Sequence, residues 1–369
     1  MELATRQLQA LGPCEGPGSK QDLPEPSRCG RLLACISCCK YMEGSVRGTI
    51  VSKRGKVLLL LAAVLFAAGL GLVKGHFAFR WKMAVVSEKL RGHLPYLGWG
   101  QVGRLALSPT QKLFAPEPAV ADTVPLVAER TVDGRKWEMC QTSLGQFWIP
   151  APGRGIVSFL DWELTVQRDY QSGNVRIHAG DTVIDCGAHI GMFSRYALQQ
   201  GARRVVAIEP DPIVLACLEA NLAKEITAGQ VTVVKAGVWD RRDQLTLFHC
   251  EGDYSGSNSF VRKPAKDCTQ IGGIPTLPLD DIAEQLKLER VDFIKMDIEG
   301  SERHALEGAE QTLRRFKPRM AICSYHLADD PVVLPVIVLK AQPTYRIHAT
   351  DVEESPVGRG LIPKVLFFH

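Results

Sequence analysis

Two carboxylates, Asp297 and Glu299, close the apolar run Val291-Asp-Phe-Ile-Lys-Met-Asp-Ile-Glu-Gly300, and a histidine, His326, closes another, Ala321-Ile-Cys-Ser-Tyr-His326. If the first run stays extended through Glu299, the period of two puts both carboxylates on one side. Such a pair suits a general base, a divalent metal or two hydrogen bonds to a substrate. The plainer reading is that Glu299 bonds backbone N–H groups at the start of the next helix, with Ser301 as its cap. Asp297 is the residue expected beside the reacting centre. His326 can deprotonate a hydroxyl, join Asp297 in a metal site, or serve as a structural hydrogen-bonding group. Lys295 is read as facing away from Asp297, with enough reach to turn inward and bind an acidic acceptor.

A second constellation is Val183-Ile-Asp-Cys-Gly-Ala-His-Ile-Gly-Met-Phe193. An apolar strand ends at Asp185, Gly187 permits a sharp turn close to a ligand, and Gly191 lets the following helix pack tightly. The spacing is Gly-x-x-x-Gly, without the glycine at which a backbone meets a pyrophosphate, so it points to a nucleoside ligand with no phosphate there. S-adenosylmethionine is such a ligand; a nicotinamide cofactor is disfavoured. About 20 residues on, Arg204-Val-Val-Ala-Ile-Glu209 ends in an acid at the distance that places a carboxylate on ribose hydroxyls. The bland alternative for both motifs is an ordinary strand-helix-strand unit with a capping turn. His189 is read as a loop residue touching the ligand.

Positioning these groups requires a sheet. Strands are expected at 182–186, 204–209, 231–236, 291–297, 318–324, 343–348 and 364–368, with helices near 191–200, 211–224, 280–286, 302–315 and 330–340. The alternation implies a doubly wound, Rossmann-like α/β sheet that binds ligands beyond the C-terminal ends of its strands. A hairpin from Lys136 to Ile149 and a helical turn or two between Asp161 and Tyr170 form an N-terminal cover. After a strand from Gln244 to Cys250, the polar stretch 252–260 is either a lid or a plain surface loop.

The rest of the chain frames this domain. Net charge is +4 and apolar content 46%, ordinary for a packed protein, and no basic stripe interleaved with aromatics appears, so no nucleic-acid partner is expected. Val57–Val73 carries no charge and is bracketed by Lys53, Arg54, Lys56, Lys74, Arg80 and Lys82, the signature of one N-terminal transmembrane helix, with Phe77, Phe79 and Trp81 at the interface. A single-pass membrane location follows, with the side holding the domain left open by the balanced flanking charges. Residues 1–50 read as a disordered cysteine-containing tail, 51–82 as the anchor and its flanks, 83–130 as a proline-interrupted linker, and 131–369 as the catalytic domain with its cover. Cys35-x-x-Cys38-Cys39 is open to lipidation, metal binding or no role. Cys186, Cys217 and Cys323 lie in apparent cores, which argues against a disulfide framework.

Together Val183–Gly191, Ile208-Glu-Pro-Asp-Pro212, Leu277-Pro-Leu-Asp-Asp281, Val291–Gly300 and Ala321–His326 resemble the FkbM-type S-adenosylmethionine-dependent methyltransferases over roughly 165–369. The resemblance implies a seven-stranded methyltransferase sheet with a reversed last strand, S-adenosyl-L-methionine as donor, and a hydroxyl of a glycan, lipid or small metabolite as acceptor. It puts the methionine part of the cofactor near Asp185, Gly187, Ala188 and Gly191, the ribose on Glu209, and the adenine near Asp211 and the loop from Gly237 to Asp240. Asp297, Glu299 and His326 remain the catalytic candidates, and a divalent metal is conceivable without support. The chain departs from the family at His189, usually Asn, and at Trp239. The alternative class is a non-catalytic module that keeps the fold for binding or assembly; intact Asp185, Glu209, Asp297 and Glu299 favour the enzyme.

Overall fold

The computed structural model describes residues 76–92, 94, 96–107, 124–261, 268–354 and 361–369. Two helices, α1 (His76–Leu90) and α2 (Trp99–Leu107), precede a meander of β1 (Leu126–Val132), β2 (Arg135–Thr142) and β3 (Gly145–Pro150). Helix α3 (Arg154–Trp162) runs into a π-helical turn, Glu163–Gln167, before β4 (Thr182–Cys186), α4 (Met192–Gln199), β5 (Arg204–Ile208), α5 (Pro212–Asn221), α6 (Ala223–Thr227) and β6 (Val231–Val234). Then come β7 (Gly237–Val238), β8 (Asp243–His249), a 3-10 turn (Gly252–Ser257), β9 (Thr269–Leu277), α7 (Leu279–Gln285) and β10 (Phe293–Met296). The chain closes with α8 (Glu302–Glu307), α9 (Glu310–Phe316), β11 (Arg319–Cys323), α10 (Asp330–Ala341), β12 (Ile347–Ala349), β13 (Val352–Glu354), β14 (Leu361–Pro363) and β15 (Val365–Phe368).

The seven expected strands form one mixed sheet in the order β12-β15-β11-β10-β4-β5-β6. All run parallel except β15, the last in sequence, which is antiparallel to both neighbours. Strands buried on both faces should read as continuous apolar runs, and β4 and β10 are buried at every residue. Side chains divide by strand alternation: Ile184, Val206, Ile294 and Met320 join one core, and Val183, Val205, Phe293 and Ala321 the other. The β1-β2-β3 meander and α3 lie with the second core through Trp137, Phe147, Ile149 and Val157.

Some elements differ from expectation. The helix expected over 302–315 is two helices parted at Gly308, where a Cβ would stand 2.2 Å from the Trp239 carbonyl oxygen, so backbone contact excludes any side chain. Strand β9 was not expected; it forms a small sheet in the order β7-β9-β8, and its mostly exposed residues leave no apolar period to detect. Within the stretch read as a linker, α1 and α2 bury Val85, Val86 and Val102 in the first core. Cys186, Cys217 and Cys323 are free and buried, but Cys250 and Cys268 form a disulfide. The tail 1–50 and the segment 57–73 expected to cross a membrane lie outside the described residues, and among those described no helix is long and apolar enough to do so.

Candidate active site

The C-terminal ends of β4, β5 and β10 meet at a cavity lined by Gly187, His189, Glu209, Gly237, Phe260 and Asp297, among others. At its root is Asp185, fully buried, whose Oδ2 accepts a 2.7 Å bond from Ser194 Oγ and whose Oδ1 lies 3.4 Å from Lys295 Nζ. Burial raises this carboxyl, against the pull of Lys295. The turn after β4 needs its glycines. Gly187 sits at φ +78°, and a Cβ there would stand 2.0 Å from the Asp297 carbonyl oxygen; Gly191, at φ +88°, would collide with Leu222. Gly187 and Ala188 both donate their N–H to the Ile208 carbonyl at 3.0 Å, which locks the turn against β5.

Glu209 accepts from His189 N–H at 2.8 Å and from Asp211 N–H at 3.0 Å. Burial and then the Asp211 charge push its carboxyl up to about 7, against those two bonds. His189 adopts φ +50° and pairs Nε2 with Ser255 Oγ at 3.0 Å, joining the turn to the segment over the cavity; burial holds its imidazole down at about 4, so it is neutral. That segment is a cover rather than a free loop. Ser255, Gly256, Asn258 and Phe260 line the cavity, and Ser259 Oγ donates to the Glu299 carbonyl at 2.7 Å.

Two residues expected near adenine make bonds within the protein. Asp211 caps α5, its Oδ1 accepting from Ile213 and Val214 N–H, while Oδ2 receives Asn258 Nδ2 at 2.6 Å and faces His249 Nδ1. It braces the cover from behind the cavity. Asp240 pairs with Arg241 at 2.9 Å and His304 at 3.2 Å and does not line the cavity, whereas Gly237 and Val238 of the same loop do. Trp239 stacks on His304 at 3.9 Å between ring centres.

The catalytic candidates do converge, though not by strand alternation, because β10 ends at Met296. Glu299 adopts φ +56°, and His326 Nε2 lies 3.4 Å from Asp297 Oδ1 and 3.3 Å from Glu299 Oε1. Ser301 occupies the cap position of α8 without a side-chain capping bond. Glu302 organises the turn instead: its Oε1 accepts from Ile298 N–H and from His326 Nδ1, and its Oε2 from Gly300 N–H, each at 2.9 Å. Burial lowers the imidazole of His326, but Glu302 and Glu299 overcome it and hold the ring protonated well above its ordinary value. An imidazolium has no lone pair for a substrate proton, so this geometry makes His326 a charge partner. Burial likewise raises Asp297, but Lys295, His326 and a 2.8 Å bond from Tyr170 OH hold it below the usual carboxylate range.

Lys295 lies close enough to Asp297 for each charge to favour the other, which corrects the opposite placement. Its Nζ donates to the Gly187 carbonyl at 2.8 Å. A divalent metal fits poorly. Asp297, Glu302 and His326 offer ligand atoms within 4.8 Å of one another, but the Glu302 oxygens already hold two backbone N–H groups and the imidazole. A nucleoside fits better: Ser301 Oγ, Asp297 Oδ1 and His189 Nδ1 are buried without hydrogen-bond partners, and their residues line the cavity. Sequence reasoning missed Glu302, Tyr170 and Ser255; Glu302 alone left a trace, as an acid in the first turn of a helix.

Residues 185–342 match the family described as the methyltransferase FkbM domain. The chain is 28% identical over 181 residues to 31-O-demethyl-FK506 methyltransferase FkbM of Streptomyces tacrolimicus, covering 42% of this chain and 70% of that protein. It is 26% identical over 157 residues to methyltransferase sdnD of Sordaria araneosa, covering 35% of this chain and 60% of that one. A crystal structure of methyltransferase FkbM from Methylobacillus flagellatus KT aligns at 24% identity and a TM-score of 0.43, covering 80% of this chain and 60% of that chain. Over residues 185–342 the chain thus matches the FkbM-type methyltransferase family.

Proposed function

We propose that the protein transfers a methyl group from S-adenosylmethionine to an oxygen nucleophile. The observation that carries this is the cavity wall itself, where Ser301 Oγ, Asp297 Oδ1 and His189 Nδ1 are buried without hydrogen-bond partners around a pocket lined also by Glu209 and Phe260. Glu209 retains lone pairs for ribose hydroxyls after accepting its two backbone bonds. The adenine lies toward Gly237 and Phe260, and the methionine end toward Gly187, Ala188 and Asp185. The cofactor supplies an already electrophilic methyl carbon, so the residues must chiefly align the acceptor and exclude water. Alignment contributes up to roughly 7–11 kcal/mol in well-oriented systems. The relative named for a demethyl-FK506 substrate supports an acceptor hydroxyl. The charge-free segment 57–73 supports a single membrane anchor before a catalytic domain spanning 131–369, hence a membrane-delivered acceptor.

Calorimetric titration of S-adenosylhomocysteine into the full chain in detergent tests the reading. Because the Glu209 carboxyl sits at about 7 and must be ionised to accept from both ribose hydroxyls, affinity should rise as pH goes from 6 to 8. Glu209→Gln should weaken binding about tenfold or more and flatten that dependence. No binding by the folded protein would move the reading to a non-catalytic module.

A further inference from the structure

A second cavity adjoins the first and shares Gly187, His189, Gly256 and Asp297 with it. On the methyltransferase reading, which this inference rests on, it is where an acceptor meets the methyl group. Its far wall is apolar, built from Leu160, Leu164, Met192 and Phe193. Most of its polar groups bond within the protein: Lys295 donates to Gly187, and Tyr170 to Asp297. A polyol would find few free donors here, whereas one hydroxyl on a carbon skeleton would find a matching wall.

Within that wall stands Glu163, 3% exposed, on the π-helical turn that follows α3. Turns of this kind recur at functional sites. Tyr170 OH lies 2.8 Å from Asp297 Oδ2 and 3.3 Å from Glu163 Oε2, and its one proton serves the shorter contact. Glu163 Oε2 then faces an oxygen lone pair, an arrangement relieved when Glu163 carries its own proton. Burial, opposed by Lys364, raises this carboxyl to about 8. Asp297 is the opposite case, its proton affinity spent on Lys295 and His326. Lys364 Nζ, 3.5 Å from Glu163 Oε1 and bonded to Asp169, continues the chain away from the cavity.

We propose that Glu163 takes the proton of an acceptor hydroxyl carried on an apolar skeleton. The acceptor oxygen bonds to the methyl carbon, the sulfur–methyl bond breaks with its electron pair left on sulfur, and the hydroxyl proton passes to Glu163 Oε2. The carboxylate form is needed, so turnover increases with pH up to the carboxyl's own value and then levels.

The test compares the wild-type full chain in detergent with Glu163→Gln. In the unliganded proteins, infrared difference spectra across pH 6–10 should show a carboxylic-acid band that titrates near pH 8 and is absent from the variant. Affinity for S-adenosylmethionine, by calorimetry, should stay within about threefold. Turnover is read with methyl-labelled S-adenosylmethionine and an extract of the producing cells' membranes, split into organic and aqueous phases. It should fall about 100-fold or more in the variant, with wild-type label in the organic phase. A variant keeping over a tenth of the activity, a surviving pH limb, or a band unchanged by the substitution would overturn the role of Glu163. Label confined to the aqueous phase would overturn the apolar acceptor. Cofactor bound without turnover in either phase would count against both, and failure of the wild type to bind the cofactor would instead remove the underlying reading.

Discussion

Replacing Glu302 should destabilise the turn that carries Asp297 and Glu299. The side chain is fully buried and satisfies Ile298 N–H, Gly300 N–H and His326 Nδ1 at once. Glu302→Ala leaves two buried donors without these acceptors, at roughly 1–3 kcal/mol each, and takes from a buried imidazolium its nearest carboxylate. Breaking a buried charge pair costs about 3–5 kcal/mol and the effects overlap, so a total of about 3–5 kcal/mol is expected. Glu302→Gln keeps the volume but turns an amide N–H toward one of the two backbone donors or the imidazole, and should cost about 1–3 kcal/mol. The pH dependence separates charge from shape. His326 is held protonated far above its unfolded value of about 6.5, so its contribution is complete below that pH and is lost as pH rises through the folded value. Wild-type stability from this group should therefore decline on the alkaline side, and the decline should shrink in Glu302→Gln because the charge holding the proton is gone. Urea denaturation of both variants at pH 6 and pH 9 measures this. A Glu302→Ala cost under about 1 kcal/mol, or an unchanged alkaline decline in Glu302→Gln, would refute the reasoning.

Two further perturbations probe the walls of the cofactor cavity. Gly187→Ala combines a left-handed backbone, worth about 1–2 kcal/mol, with a Cβ 2.0 Å from the Asp297 carbonyl oxygen, so it should cost about 3 kcal/mol and abolish S-adenosylhomocysteine binding; calorimetry showing wild-type affinity would exclude this close approach. The Cys250–Cys268 disulfide spans 18 residues at the root of the cover, so the double serine variant should lose about 3 kcal/mol of stability and release S-adenosylhomocysteine faster, as read by thermal unfolding and stopped-flow exchange; an unchanged release rate would detach the disulfide from the cover's closure.

What was legible in the sequence follows from which interactions are local. The sheet was readable because β4, β5, β10 and β11 are buried on both faces and show as largely apolar runs, with Asp185, Glu209, Asp297 and His326 at or just beyond their ends. The glycines of the 187–191 turn were readable because positive φ and close approach leave no other residue. Asp211 was ambiguous because a helix cap and a ligand contact draw on the same residue type just after a strand; the fold adds its capping bonds to Ile213 and Val214. Tyr170 reaches Asp297 across 127 positions, and nothing near either residue announces the pairing. Glu163 was passed over for the same reason: a glutamate in a short helical turn looks solvated until the fold buries it.

The charge pattern accounts for the division of labour among the carboxylates. Asp185, Lys295, Asp297, His326 and Glu302 form a chain of alternating sign across β4, β10 and the turn into α8, with neighbours 2.9–3.4 Å apart where they pair. Such a chain is rigid because each member would be costly to leave alone in a buried setting. That rigidity holds Asp297 Oδ1 and the Gly187 carbonyl in place at the meeting of the two cavities, and it makes both Asp297 and His326 poor proton acceptors, since each already has its preferred charge state. A transfer to oxygen nevertheless releases a proton. The group that takes it must stand outside the chain, near the acceptor, with a proton affinity close to the working pH. Glu163 meets these conditions: it shares the Tyr170 hydroxyl with Asp297 but, among the described residues, makes no ion pair with any member of the alternating chain.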